Sequence, residues 1–329
     1  YGCTNSIATN YNPNATFDDE SCTFIKTYVP DDNFEIWLEA NGYGDGDLQN
    51  DSILTASLNS LDQLFINDKG ITDLTGIEDF QDLRRLYVNE NNLSILDLRQ
   101  NPKLTFINGS SNPSLSQVLL PDSAYWTTQG PLNVVVDNCN ITTLNVPNHI
   151  NILSCHDNPL IYLDVSNISI LEDLYVQNTN LTSLDLSNNF ALEQLDCFNM
   201  NNLIELDLRT GISLINLTQA YITNNPNLSC ISVSDTAIAA STLTNIDPWV
   251  SFSLNCTGNG CTDPTALNYD PNATNDDSSC TYCNFGCMDP VAPNYDPLAN
   301  CDDGSCASPT VYGCTNSIAT NYNPNATFD

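Results

Sequence analysis

Basic residues are nearly missing from this chain of 329 residues: seven Lys and Arg stand against 40 Asp and Glu, for a net charge of −33. Such a surface repels polyanions, so neither nucleic acid nor an anionic membrane is an expected partner. Histidine is as scarce, with only His149 and His156. His156 adjoins Cys155, but successive strand residues point to opposite faces, so the thiol is expected inside and the imidazole outside. No Gly-rich phosphate loop, H-E-x-x-H or zinc-type cysteine pairs occur. The chain therefore reads as non-enzymatic. Long apolar runs are lacking too: nothing approaches the roughly 20 residues of a membrane span, so no membrane insertion is expected. No signal peptide or initiator methionine is present, and a secretion signal is expected outside these residues.

Cysteine, by contrast, is plentiful, at fourteen residues. Residues 2–22, "GCTNSIATNYNPNATFDDESC", have close relatives at 260–280, "GCTDPTALNYDPNATNDDSSC", and at 286–306, "GCMDPVAPNYDPLANCDDGSC". Each copy frames about 21 residues, with one tyrosine inside, between cysteines 19 apart. A segment so small cannot build a core and needs a staple, worth roughly 3 kcal/mol for such a loop. The spacing pairs Cys3 with Cys22, Cys261 with Cys280 and Cys287 with Cys306; Cys283 and Cys301 make a further pair. Cys280 and Cys283 also form a C-x-x-C, which fits this disulfide scheme better than a metal site. Bridges of this density imply an oxidising, extracellular or cell-surface compartment.

Within the modules, acids and amides recur at fixed places. The second copy offers Asp263, Asn268, Asp270, Asp276 and Asp277, and the third Asp289, Asn294, Asp296, Asp302 and Asp303. Oxygen ligands alternating with turn-forming Pro and Asn can wrap calcium, the expected cofactor. Asx turns without a metal are the alternative use of the same residues. The pattern is similar in spirit to the calcium-binding thrombospondin type 3 repeats, without their strict Asp-x-Asp-x-Asp run.

The middle of the chain repeats with a period near 21. "LRRLYVNENNLSILDLRQNPK" from Leu83, "LEDLYVQNTNLTSLDLSNNFA" from Leu171 and "LEQLDCFNMNNLIELDLRTGIS" from Leu192 share L-x-x-L-x-V/C-x-x-N-x-L-x-x-L-D-L, the leucine-rich-repeat signature. The fold class expected is mainly β: a leucine-rich-repeat solenoid of about eight rungs, with a second strand-like side at each L-D-L. One rung cannot bury its apolar face alone, whereas a stack shares a continuous core. "PDDNFEIWLEANG", residues 30–42, reads as an N-terminal capping helix, and Cys230 with Cys256 as the staple of a C-terminal cap. Cys139, Cys155 and Cys197 are expected as free thiols at small apolar rung positions.

This divides the chain into a module at 1–23, an N-terminal cap at 24–63, the solenoid at 64–232, a C-terminal cap at 233–258, and modules at 259–281 and 282–307. Residues 308–329 read as the start of a next unit, because 312–329 repeat 1–18 letter for letter. The expectation is one period of 311 residues and part of a second.

"YVPDDNFEIWLEANGYGDG", "GITDLTGIEDF" and "NNPNLSCISVSD...NIDPWVSFSLNC" together resemble secreted leucine-rich-repeat proteins of the Bacteroidetes type, as do the short modules. The resemblance implies a surface protein used in adhesion, binding or structure. It also implies O-glycans at Ser52, Ser123 and Thr236, in "DSI", "DSA" and "DTA". Such proteins often end in a sorting domain, whereas here the solenoid is followed by further modules. Two functions are expected. The first is a subunit of an extracellular filament or tandem array, calcium-stiffened, glycosylated and touching copies of itself head to tail. The alternative is an adhesin that binds a surface glycan or protein through the solenoid face, with Tyr87, Tyr162, Tyr175 and Phe198 as contact residues.

Overall fold

The structure, a computed structural model, describes residues 1–48, 50–122, 130–209, 214, 216–256, 259–267, 269, 275–276, 280–290, 292–307, 313–326 and 328. The chain divides into two compact units, Tyr1–Cys256 and Thr257–Asp329.

The first unit is a mainly β solenoid. It opens with strand β1 (Lys26–Tyr28), helix α1 (Asp32–Ala40) and strand β2 (Ser52–Leu54), β1 and β2 pairing antiparallel. Helix α1 starts at Asp31, whose carboxylate accepts from the Phe34 amide. Phe34 and Leu38 from its inner face are fully buried, and Phe34 stacks on Phe80 of the first turns.

Eight strands then line up in one parallel sheet: β3 (Gln63–Phe65), β4 (Arg85–Tyr87), β6 (Phe106–Asn108), β8 (Leu132–Val135), β10 (Ile150–Ser154), β12 (Asp173–Tyr175), β14 (Gln194–Asp196) and β16 (Gln219–Tyr221). The middle residue of each short strand faces inward, so Leu64, Leu86, Ile107, Leu153, Leu174 and Leu195 stack as one buried column. The L-D-L segments form the second series, β5 (Ile95–Asp97), β7 (Gln117–Leu119), β9 (Thr143–Leu144), β11 (Tyr162–Leu163), β13 (Ser183–Asp185), β15 (Glu205–Leu208), β17 (Cys230–Val233) and β18 (Ser251–Ser253), paired in three smaller sheets.

After each long-sheet strand the chain turns through a left-handed residue: Asp68, Glu90, Ser111, Asn138, Asp157, Asn178, Asn199 and Asn224, with φ between 53° and 59°. Short polar side chains suit that conformation, which explains the Asn and Asp enrichment. The next residue is a buried Asn at four of these turns. Asn158 shows the arrangement: Nδ2 donates to Val136 O (2.8 Å) and Cys155 O (3.0 Å), while Oδ1 accepts from Ile141 N (3.0 Å). Asn91, Asn112 and Asn225 are bonded alike. The side chain thus satisfies backbone groups of its own and neighbouring rungs, which would otherwise be buried without partners.

Cys139 corrects one expectation. Cys155 and Cys197 fill inward apolar positions, both fully buried, but Cys139 sits at the asparagine position and donates its thiol to Asp137 O and Gly109 O. Beyond β17 a short helix, α2 (Thr236–Thr242), capped by Asp235, packs in the C-terminal cap. The Cys230–Cys256 disulfide closes this cap.

Among its described residues the second unit has two pairs of two-residue strands and is held by bridges Cys261–Cys280, Cys283–Cys301 and Cys287–Cys306, as Cys3–Cys22 holds the N-terminal module. Each module has a small common core: buried Cys3, Cys261 and Cys287 are each accompanied by one buried alanine, Ala8, Ala266 or Ala292. Cys261, Cys287 and Cys314 also bridge to a tyrosine eight residues on, at Tyr269, Tyr295 and Tyr322.

Candidate functional site

The outward side of the eight-stranded sheet is where the chain's unusual side chains gather. In register, Phe65, Tyr87, Asn108, Val135, Ser154, Tyr175, Asp196 and Tyr221 form one outward column. On the early rungs Phe65 and Tyr87 stack at 4.6 Å and Tyr87 and Phe106 at 5.0 Å between ring centroids. Phe65 is 51% exposed.

Cations gather at the same end. Four of the seven are tied up in ion pairs: Lys26 with Asp45, Arg99 with Asp97, Lys103 with Asp82 and Arg209 with Asp207. Among the described residues, Lys69, Arg84 and Arg85 pair with no carboxylate, and Arg85 lies on β4 between Gln63 and Phe106.

The later rungs carry the opposite sign. Asp137, His156 and Gln177 follow β8, β10 and β12 at equivalent places. His156 Nδ1 lies 2.6 Å from Asp157 Oδ2 and Nε2 lies 3.3 Å from Asp137 Oδ2, while Asp137 Oδ1 accepts from Ser154 Oγ (2.6 Å) and His156 N (3.1 Å). Burial pushes the Asp137 carboxyl above the usual range in spite of these donors. Asp173 is pushed up by burial and by the charges of Glu172 and Glu193; Asp196 rises through burial, against the pull of Gln194 and His156. Tyr175 is raised as well, by burial and by Asp173 and Asp196. A single face thus runs from basic to acidic, with aromatic rings at both ends.

Of the four aromatic residues expected to make contact, Tyr87 and Tyr175 share this face. Tyr162 does not: it lies on β11 of the second series, 62% exposed. Phe198 follows β14 and is half-buried. Cys155 and His156 point apart, and burial pushes the Cys155 thiol well above its ordinary range.

The module carboxylates are spent locally. Asp263 accepts from Thr265 N, Thr265 Oγ1 and the Tyr282 hydroxyl; Asp296, Asp302 and Asp303 accept from Leu298 N, Gly304 N and Ser305 N, each two residues on. Asn294 donates to Ser305 O and accepts from Ala307 N, and the backbone carbonyl of Asp289 accepts from Ala292 N. These Asx turns do not bring three of the carboxylates together; among the described residues only Asp32, Glu35 and Asp51 converge in that way, in the N-terminal cap. Asn268, Asp270 and Asp277 lie outside the described residues, as does the side chain of Asp276. Of the three implied glycan sites, Thr236 is exposed at the first turn of α2. The Ser52 hydroxyl is engaged by Asn50 Oδ1 and Lys26 Nζ, and Ser123 lies outside the described residues.

No described helix is long and apolar enough to cross a membrane. No protein-family model and no curated protein matches the chain. Among solved structures, it is similar to the functional domain of InlJ from Listeria monocytogenes, which includes a cysteine ladder, at 25% identity and a TM-score of 0.44, over 68% of this chain and 56% of that one. It is also similar to internalin C2 of L. monocytogenes (20% identity, TM-score 0.36, 70% of this chain and 100% of that one) and to the leucine-rich-repeat domain of APL1B (22%, 0.33, 53% and 46%). The chain thus spans little more than half of the InlJ domain, and at these TM-scores the likenesses assign it no function.

Proposed function

We propose that the chain is a non-enzymatic, extracellular interaction module that grips a protein ligand across the outward face of its eight-stranded sheet. The observation that supports this reading is the sorting of side chains along that face: stacked rings, Phe65 exposed and Tyr87 and Phe106 half-buried, beside unpaired arginines at one end, and carboxylates at the other. Rings supply contact area at little entropic cost, and a graded potential fixes the orientation of a bound partner. Solenoids present such a face as one continuous surface. The test is adhesion of beads bearing the full chain to cell and matrix surfaces under flow. Tyr87→Ala with Phe106→Ala should abolish adhesion while the chain, though less stable for the lost ring packing, still melts in one cooperative transition above the assay temperature. Unchanged adhesion rejects the face.

A second reading rests on the identity of residues 1–18 and 312–329. In it the unit recurs along an array or filament, calcium neutralises the acidic modules between solenoids, and glycans keep neighbouring fibres apart. Electron microscopy of native material with and without a chelator tests it: a regular axial repeat that softens on chelation supports it, and isolated particles reject it.

A further inference from the structure

We infer that Asp196, walled by Tyr175 and Tyr221, is a subsite for a guanidinium group carried by the partner. This rests on the reading of the sheet face as the binding surface. In register, Asp196 on β14 lies between Tyr175 on β12 and Tyr221 on β16. Neighbouring strands are about 4.8 Å apart, so the carboxylate lies between two phenol rings. Ring faces attract cations, and a carboxylate between them adds the opposite charge.

Gln194 already donates to the Asp196 carboxylate, but two acceptor atoms on these rungs lack a donor. Asp196 Oδ1 is shut from water and receives no hydrogen bond, and the same holds for Gln177 Oε1. Gln177 is only 8% exposed, yet strand alternation aims it toward the outward side with Tyr175. Acceptors left dry and unpaired cost stability, so they mark a place where a donor is missing. The chain's own cations do not supply it: four are paired elsewhere, and Lys69, Arg84 and Arg85 belong to the early rungs. The His156 ring is already turned to Asp137 and Asp157.

The chemistry favours a guanidinium over other donors. Asp196 brings a negative charge of its own, and Asp173 acts on the same Tyr175 ring, so a neutral hydroxyl would leave this charge uncompensated. A hard metal ion needs several converging oxygens, and among the described residues no such set forms here. A guanidinium offers five donors in one plane, so it can meet separate acceptors while stacking on a ring.

The test uses the full chain with glutamine side chains labelled with nitrogen-15, Gln177 being assigned by loss of its signal in Gln177→Leu. The probe is N-acetyl-arginine amide, with N-acetyl-citrulline amide as its neutral shape match. Arginine should shift the Gln177 amide saturably and citrulline should not. Asp196→Asn should weaken the arginine effect at least about tenfold, as expected for loss of a charge-assisted pair, whereas Asp303→Asn should leave it unchanged. A silent Gln177, or equal responses to arginine and citrulline, overturns the subsite; the second comparison needs no variant. If Gln177 is silent while bead adhesion still depends on Tyr87 and Phe106, the subsite fails and the face stands. Loss of both results removes the face as well.

Discussion

Asp31 fastens the capping helix to the first turns of the solenoid through Thr72. Its Oδ1 caps α1 at Phe34 N (3.0 Å), while Oδ2 accepts from Thr72 N (2.8 Å), Thr72 Oγ1 (2.8 Å) and Asp73 N (3.1 Å). Burial alone would raise this carboxyl, but the donors outweigh it and hold it below the usual range. Asp31→Ala removes both functions and leaves buried amides without an acceptor. The expected cost is about 3 kcal/mol, or roughly 6–12 °C in melting temperature. Because the folded pKa is depressed, the ionised group stabilises above the unfolded value near ~3.9 and ceases to as pH falls through the folded one. The gap between native protein and Asp31→Asn should therefore be full at neutral pH and close in acid, as read by thermal melts.

The asparagine ladder makes a sharper test of what holds the rungs. Asn158→Leu keeps the branched shape, with a larger volume, but strands Val136 O, Cys155 O and Ile141 N. Its expected cost is about 3–4 kcal/mol, beyond that of an ordinary surface change. Cys139→Asn moves the other way. It restores the ladder residue that most other rungs carry, and should stabilise by about 1 kcal/mol. Denaturant titration at constant slope distinguishes the two.

What was legible in the chain was whatever local spacing decides. The Leu period, the Asn at half of the turns and the cysteines 19 apart are all set within one rung or module, so rung architecture and disulfide pairing follow from counting. The acidic end of the sheet was not legible. Asp137, His156 and Gln177 meet only across rungs, and rung length varies: Ser111 to Asn138 spans 27 residues and Asn138 to Asp157 only 19. A fixed period of 21 loses that register. Helix α2 escaped because seven residues with little apolar pattern leave only the Asp235 cap as a signal. Cys139 was misplaced because a cysteine at an asparagine position reads as an apolar rung residue when the left-handed Asn138 before it is not recognised.

The three free thiols of the solenoid should be protected by burial, whatever their sequence neighbours. Cys155 and Cys197 are fully buried, and burial raises both thiols far above the ordinary range. Cys139 is half-buried and its thiol is pushed up to about 11, chiefly by burial. At pH 8 about one in a thousand Cys139 thiols would be ionised. Brief alkylation of the native protein followed by peptide mass spectrometry should leave Cys155, Cys197 and Cys139 unmodified. Unfolding in denaturant should expose all three at once, since they belong to one cooperative stack.

Asp196→Asn should stabilise the protein, the reverse of Asp31→Asn. Burial raises the Asp196 carboxyl, and Oδ1 has no donor, so its ionised form is worse off folded than unfolded. For a carboxyl whose folded pKa is raised, the folded state holds the proton more tightly. Stability is then lost as pH rises from the unfolded value near ~3.9 through the folded one. The amide carries no charge and escapes that loss. At neutral pH the gain should be modest, about 0.5 kcal/mol or roughly 1–2 °C, because the site is partly open to water. It should shrink as the pH is lowered through the raised folded value, where the native carboxyl takes up its own proton. A charge kept at a cost to the fold is what a binding position looks like, since ligand contact repays it only in the complex. If instead Asp196→Asn lowers the melting temperature at every pH, the Gln194 hydrogen bond outweighs the burial of the charge, and the carboxylate is structural.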